Sequence, residues 1–224
     1  LVCLGMVVAS MNNLTPLNYA VRTREKITAL FEKLTGARVM HGFNRIGGLA
    51  CDLYSGFDND VKAVLKEIQP TLRDIQRLIE KNTIFVQNTR DVGTISRAQA
   101  YDLGLSGPNL RASGVVYDLR KIEPHSFYNA FDFEVPIGQT GDTYDRVLVR
   151  FEEIKQGLRI MDQCLKKLPR GPVMTSDPNV ALPSKEEIDA NPEAFEHHTR
   201  LITEGTLPPP GEHYSRTETS NGEL

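Results

Sequence analysis

The sequence predicts a mainly α protein in which long amphipathic helices form a bundle around a glycine-rich α+β insertion. Three observations predict this class. Apolar residues recur at helical spacing in three long segments, glycines interrupt the chain between residues 83 and 136, and 40% of the 224 residues are hydrophobic. We expect one domain fragment, with a bundle formed by residues 1–81 and 142–168, an insertion at 83–136 and a proline-rich segment at 169–224.

The first two helices are indicated at the start of the chain. Residues 1–9 are apolar and are closed by Ser10, which predicts a truncated core helix because a membrane span needs roughly 20 apolar residues. Thr15 is a candidate N-cap and Pro16 a first helical residue, and Gly36 ends the pattern. The apolar face of this second helix comprises Leu17, Ala20, Val21, Ile27, Leu30, Phe31 and Leu34.

Two further long helices and a short one follow. Residues 58–81 repeat the apolar pattern, and Pro70 inside it predicts a kink. A short helix with a serine cap is expected at about 96–103 within the insertion. Asp142 caps the third long helix, which ends before the Pro-Arg-Gly-Pro sequence at 169–172 and should pair with the first two helices.

The proline-rich segment is expected to contain two short helices. Ser184 and Glu187 form a capping-box pattern at the start of one. The other should begin at Asn191 and Pro192 and end at Gly205. Since the first residue is a leucine in an apolar run and no element closes the last residues, we expect an internal fragment that lacks both ends of its subunit.

Composition limits the possible partners and cofactors. The net charge is −3, so no basic field exists to attract a phosphate backbone, and nucleic acid is not expected as a partner. Cys3, Cys51 and Cys164 lie far apart with no CxxC pair, which predicts neither a disulfide framework nor a thiolate-bound metal, and their number fits a reducing compartment.

Two glycine-rich loops invite a binding interpretation. Residues 104–108 lack the lysine and hydroxyl residue that a phosphate loop requires, so a nucleotide site is not favoured. Arg45 stands beside Gly47 and Gly48, where the backbone could approach a ligand or another subunit closely. An ordinary turn with a surface arginine explains the same residues equally well.

Charged residues elsewhere favour structural roles. Arg111, Asp118 and Arg120 flank a short apolar stretch without helical periodicity, which favours ion pairs that fix loops over catalysis. His197 and His198 are adjacent and point to different sides of a helix, so surface positions are favoured over a metal site.

Ten blocks of residues along the whole chain form a collinear set of motifs: Leu14–Pro16, Arg22–Glu25, Leu34–Arg38, Arg45–Gly48, Leu103–Gly114, Tyr117–Lys121, Phe131–Pro136, Gly141–Arg146, Leu168–Pro172 and Gly222–Leu224. Together they resemble the D subunit of bacterial NADH-quinone oxidoreductase, respiratory complex I, and its 49-kilodalton mitochondrial counterpart. So many blocks in one order make chance agreement a poor explanation.

This resemblance implies a bundle of the nickel-iron hydrogenase large-subunit type without the nickel ligands. It implies a peripheral subunit on the cytoplasmic side of a bacterial membrane, packed against the membrane arm and against a small iron-sulfur subunit. The chain itself would bind no cofactor. NADH and the iron-sulfur clusters would be bound by partner subunits, and a quinone such as ubiquinone would be the substrate in the cavity between the subunits. The quinone-binding histidine and tyrosine of the family would lie upstream of Leu1.

The resemblance also implies candidate site residues, two of which depart from the family pattern. Ser10 stands where the family has an aspartate, and a serine cannot stabilise an imidazolium by charge. Met40 stands where many members have a histidine near the terminal cluster, with His41 one place later, and a methionine cannot titrate. Arg45, with the pair Gly47 and Gly48, is expected near the cluster or the quinone tunnel.

The function implied is that of a subunit of a proton-translocating NADH:quinone oxidoreductase that helps to form the quinone-reduction cavity. Two alternatives stay open at this point. One is the large subunit of a membrane-bound hydrogenase-type complex, whose full gene would carry paired CxxC motifs near both ends. The other is a non-catalytic helical scaffold, whose gene would carry neither those motifs nor an early His-Pro-x-x-His-Gly stretch.

Overall fold

The computed structural model describes residues 1–224 and contains ten α-helices, which confirms the mainly α class. The three longest are α2 (Thr15–Thr35), α3 (Phe57–Glu80) and α8 (Thr143–Lys166), and a shorter helix, α1 (Val2–Ala9), precedes them. Contacts divide the chain into two compact units. Unit 1 comprises Leu1–Ile27, Asp58–Leu168 and Tyr214–Leu224, and unit 2 comprises Thr28–Phe57 and Pro169–His213. The expectation of one domain fragment stays a prediction.

The core of unit 1 confirms that the third long helix packs with the first two. Its buried apolar side chains come from α1, α2, α3, α8 and the short helix α4 (Thr83–Thr89): Leu4, Val8, Ala20, Leu72, Ile75, Ile79, Phe85, Val147 and Phe151. Each large side chain of this kind contributes about 1.5–3 kcal/mol when it is fully buried. Helix α3 continues through Pro70, and the kink there stays a prediction.

The N-terminus of α8 is fixed as the sequence predicts. Asp142 is buried, and its carboxylate accepts a hydrogen bond from the backbone N–H of Asp145 at 2.7 Å. Its other oxygen accepts from the backbone N–H of Asp91 at 2.8 Å, so the cap also holds the loop that follows the short helix α4.

The insertion differs from the expected α+β structure. Residues 83–136 contain helices and turns only: α4, α5 (Arg97–Asp102), α6 (Gly107–Ala112), α7 (Leu119–Ile122) and a 3-10 turn at Tyr128–Ala130. The glycines that interrupt this segment allow the positive φ angles of 61° to 78° at Gly104, Gly107 and Gly114 around α6. The predicted serine cap is confirmed, since Ser96 forms a capping box with Gln99.

The β structure lies outside the insertion, in two short antiparallel hairpins. In unit 2, β1 (Asn44–Arg45) pairs with β2 (Gly48–Leu49). In unit 1, β3 (Glu218–Thr219) pairs with β4 (Gly222–Glu223).

Unit 2 also contains the two short helices that the sequence predicts. Helix α9 (Lys185–Ala190) begins with the Ser184 capping box, and α10 (Pro192–Thr203) begins at the Asn191 cap. No helix in either unit combines the length and apolar character that crossing a membrane requires.

Candidate functional site

Five of the six candidate residues lie in unit 2, in and just before the β1–β2 hairpin. Arg45 ends β1 and pairs in register with Gly48. Its side chain is exposed. The hairpin therefore presents a cation at its turn, where a partner of opposite charge can reach it.

The glycine pair beside Arg45 makes its close approach to the chain's own backbone. A Cβ on Gly48 would lie 2.1 Å from the carbonyl oxygen of Val173, and one on Gly47 would lie 2.5 Å from Val180 Cγ1. Backbone hydrogen bonds join the two segments, from Leu49 N to Val173 O and from Thr175 N to Gly47 O. This is the geometry of a turn that carries a surface arginine.

Met40 and His41 occupy different surroundings. Met40 has φ 57° and is 96% exposed. His41 is partly buried, with its ring centroid 4.5 Å from that of Phe31, and its Nδ1 is buried without a hydrogen-bond partner. The chain thus has a titratable, partly buried side chain one position after the place where the family histidine is expected.

Ser10 belongs to unit 1, whereas the other five candidate residues belong to unit 2. It follows the last residue of α1, and its hydroxyl donates to the carbonyl oxygen of Val7 at 2.7 Å. The serine is exposed, and its hydroxyl closes the helix end.

A second group of polar residues, in unit 1, is centred on a buried arginine. The guanidinium of Arg111 is 1% exposed and has three carboxylates within ion-pair distance. Glu153 on α8 lies 2.5 Å from it, Glu218 on β3 lies 2.8 Å away, and Asp118 lies 3.8 Å away. Arg111 also donates to the carbonyl oxygen of Tyr117. The cluster joins α6, α8 and the β3–β4 hairpin through one side chain.

Arg120 completes the buried cluster and confirms the expected ion pairs of Arg111, Asp118 and Arg120. Its guanidinium donates to both carboxylate oxygens of Asp118, at 2.9 and 2.6 Å. Burial by itself raises the pKa of Asp118, but the hydrogen bonds and charge of Arg120 outweigh it and hold that pKa below its ordinary value. Asp118 is therefore an ionised structural anchor.

A cavity of about 680 Å³ in unit 1 opens beside this cluster. Its lining includes apolar side chains, among them Ile154, Leu158 and Met161. The lining also includes charged residues, namely Arg24, Arg111, Arg120, Arg150, Glu153 and Glu218. Such a mixed lining can hold ordered water or a polar group.

Glu153 and Glu218 are the members that sequence reasoning missed. Glu153 lies inside α8, where the helical pattern in the sequence identified only the apolar positions. Its partner, Arg111, is 42 residues away in the sequence. Glu218 is 107 residues from Arg111. A buried arginine requires anionic partners, and that requirement is the one signal that could have prompted a search for them.

The structure contains no set of side chains arranged as metal ligands. All three cysteines are free, and no group of three or more His, Cys, Asp or Glu side chains comes together as metal ligands would. The residues present therefore do not fit a cluster or a nickel site, and we assign no step to a metal held by this chain.

Comparison with known proteins finds one matching family. Residues 11–224 match the family described as "Respiratory-chain NADH dehydrogenase, 49 Kd subunit". The match includes both units and all the candidate residues except Ser10.

Curated relatives agree with this match. A Leptospira biflexa protein, named as the D subunit of NADH-quinone oxidoreductase, is 39% identical over the whole chain, which spans 55% of that relative. One of Methylacidiphilum infernorum with the same name is 45% identical over 92% of the chain and 49% of the relative. A Bdellovibrio bacteriovorus protein, named as the C/D subunit of this oxidoreductase, is 43% identical over the whole chain and 40% of its own length. The chain spans about half the length of these relatives.

Proposed function

Because the chain belongs to the 49 Kd subunit family of respiratory-chain NADH dehydrogenase, we propose that it is part of a proton-translocating NADH:quinone oxidoreductase. Within that complex it helps to form the cavity in which quinone is reduced. The observation that carries the proposal is the family match over residues 11–224, supported by relatives that are named as subunits of this oxidoreductase.

The proposed division of labour leaves electron transfer to partner subunits. This chain contributes cavity walls, charged groups and contacts with other subunits, while NADH and the iron-sulfur clusters are bound by partners. The small subunit with the terminal cluster and the membrane arm are the neighbours we propose. The chain would then be a peripheral subunit on the cytoplasmic side of a bacterial membrane.

Arg45 is the residue that we propose to lie nearest the cluster or the quinone tunnel. Its exposed cation at a rigid hairpin suits contact with a partner, since the backbone beside it is held against residues 173–175. The partly buried His41 is the titratable group beside this hairpin, and Ser10 closes α1 in the other unit.

The test uses the full-length gene expressed with its neighbours, with NADH-driven quinone reduction measured in membranes. We expect Arg45→Ala to lower quinone reduction by roughly tenfold or more, about 1.4 kcal/mol of lost stabilisation, while the complex still assembles. Arg73→Ala, which removes an exposed arginine from α3, is the matched control and should keep the wild-type rate.

Two results would count against the proposal. If Arg45→Ala keeps the full rate in an assembled complex, Arg45 is a turn residue and its placement near the site is wrong. If the unmodified complex consumes or evolves hydrogen and does not reduce quinone, the hydrogenase-type alternative takes precedence.

A further inference from the structure

Glu153 differs from the other carboxylates of the Arg111 cluster in how its oxygens are used. Both oxygens of Glu218 accept hydrogen bonds, one from Arg111 and one from the backbone N–H of Leu119. Both oxygens of Asp118 accept from Arg120. Glu153 accepts only through Oε1, from Arg111 Nε and Nη2. Its second oxygen is left free to bind a proton.

Glu153 is also the carboxylate that solvent can reach. Its side chain is 16% exposed, against 0% for Asp118 and 2% for Glu218, and it lines the cavity. A buried carboxyl group exchanges protons only where water has access, and this position provides it. The cavity lining also includes apolar side chains, among them Ile154 and Leu158, which lower the local dielectric and make the ionised form costly.

Among the groups of the Arg111 cluster that lie within ion-pair distance of one another, negative charges outnumber positive ones. Three carboxylates share two guanidinium groups, those of Arg111 and Arg120. Arg150, one turn before Glu153 on α8, directs its guanidinium to the β3–β4 turn, where it donates to Ser220 O and Asn221 Oδ1. The charged and titratable groups that face Glu153 or line the same cavity are Cys3, Arg24, Arg111, Asp118, Arg120, Arg150 and Glu218.

We propose that Glu153 is a proton-exchanging carboxyl group, which takes up a proton at its free oxygen and returns it to the cavity. The step is a single proton transfer between cavity water and the carboxylate, with no change of oxidation state. Burial raises the pKa of Glu153, and the charge and hydrogen bonds of Arg111, with the charges of Arg150 and Arg120, offset only part of that effect. The use of this proton in quinone reduction rests on the proposed function, whereas the exchange itself does not.

The test is an infrared pH titration of the purified, assembled complex. The difference between wild type and Glu153→Gln should contain one carboxyl band that titrates above the pH range of exposed glutamates. Glu152→Gln is the control, because Glu152 is its exposed neighbour, paired with Lys155. That variant should leave the Glu153 band in place. A Glu153 band at or below the ordinary range would overturn the proposal.

Glu153→Asp covers the case in which the glutamine variant does not assemble. It keeps a carboxyl group on a shorter side chain, so its band should be displaced from the wild-type position, and coincident spectra would contradict the proposal. Quinone reduction is assayed on the same samples. A wild-type complex that shows the band but does not reduce quinone would contradict the proposed function and leave the proton exchange standing.

Discussion

Arg111 donates two hydrogen bonds to a single carboxylate oxygen of Glu153, from Nε at 2.9 Å and from Nη2 at 2.5 Å. The same guanidinium reaches Glu218 through Nη1, so one buried cation ties α6 to α8 and to the β3–β4 hairpin. Removing one partner of a buried ion pair costs more than the pair contributes, because a charge is left without compensation.

Arg111→Ala should therefore destabilise unit 1 strongly. Glu153 and Glu218 would lose their only ion-pair partner, and we expect a loss of about 3–5 kcal/mol. Urea denaturation of the chain, followed by circular dichroism, measures it. Arg73→Ala on the exposed face of α3 should stay within about 0.5 kcal/mol of wild type. Equal effects of the two changes would mean that the buried cluster contributes nothing.

Gly48→Ala tests the close packing of the β1–β2 hairpin. Gly48 has φ 155°, and an added Cβ would meet the carbonyl oxygen of Val173 at 2.1 Å and Met174 Cα at 2.8 Å. We expect a loss of roughly 1–3 kcal/mol from overpacking and strain. Gly42→Ala is the matched control, since nothing lies within 4 Å of its added methyl group. The unfolding temperatures of both variants measure this loss. A Gly48→Ala variant that unfolds at the same temperature as wild type would contradict the close packing of the hairpin.

Asp142→Ala tests the cap that joins α8 to the loop between α4 and α5. The buried carboxylate accepts from the backbone N–H groups of Asp145 and Asp91, and hydrogen bonds to a charged acceptor contribute roughly 1.5–3 kcal/mol. We therefore expect the free energy of unfolding, measured by urea denaturation, to fall by at least the contribution of one such hydrogen bond. Asp58→Ala at the start of α3, where the aspartate pairs with Lys62 on the surface, should cost under about 1 kcal/mol.

The pH dependence of stability should have two components of opposite sign. The pKa of Asp118 is lowered in the fold, so its contribution is complete above its ordinary value of 3.8 and is lost as the pH falls through the lower, folded value. The pKa of Glu153 is raised, so its contribution is complete below the ordinary 4.5 and is lost as the pH rises through the folded value.

Glu153→Gln removes the second of these components. Relative to wild type, this variant should gain stability as the pH rises from about 4.5 towards neutrality, because the amide never ionises. Urea midpoints at a series of pH values measure the difference. A difference that is constant over that range would show that Glu153 does not titrate there.

Local signals predicted most of the helical structure. The caps at Ser96, Asp142, Ser184 and Asn191 each lie where the sequence places a helix start, because an N-cap depends on residues within one turn. Helices α4, α6 and α7 were not predicted, since they have seven residues or fewer, too few for a helical period to be recognised, and no cap had been identified for them in the sequence.

The polar cluster could be predicted only in part, because its members are distant in sequence. Arg111, Asp118 and Arg120 lie within ten residues and were expected to form ion pairs. Glu153 and Glu218 are brought to Arg111 by tertiary packing, which no local pattern encodes. The candidate residues near the quinone cavity came from a family resemblance, and their roles stay predictions.

The most direct test of the proposed function is deletion of the full-length gene, followed by its restoration, with NADH-driven quinone reduction measured in membranes. We predict that quinone reduction is lost on deletion and recovered on restoration, while an artificial acceptor that takes electrons upstream is still reduced by NADH. Quinone reduction that continues at the wild-type rate in the deletion strain, with no second copy of the gene, would contradict the proposed function.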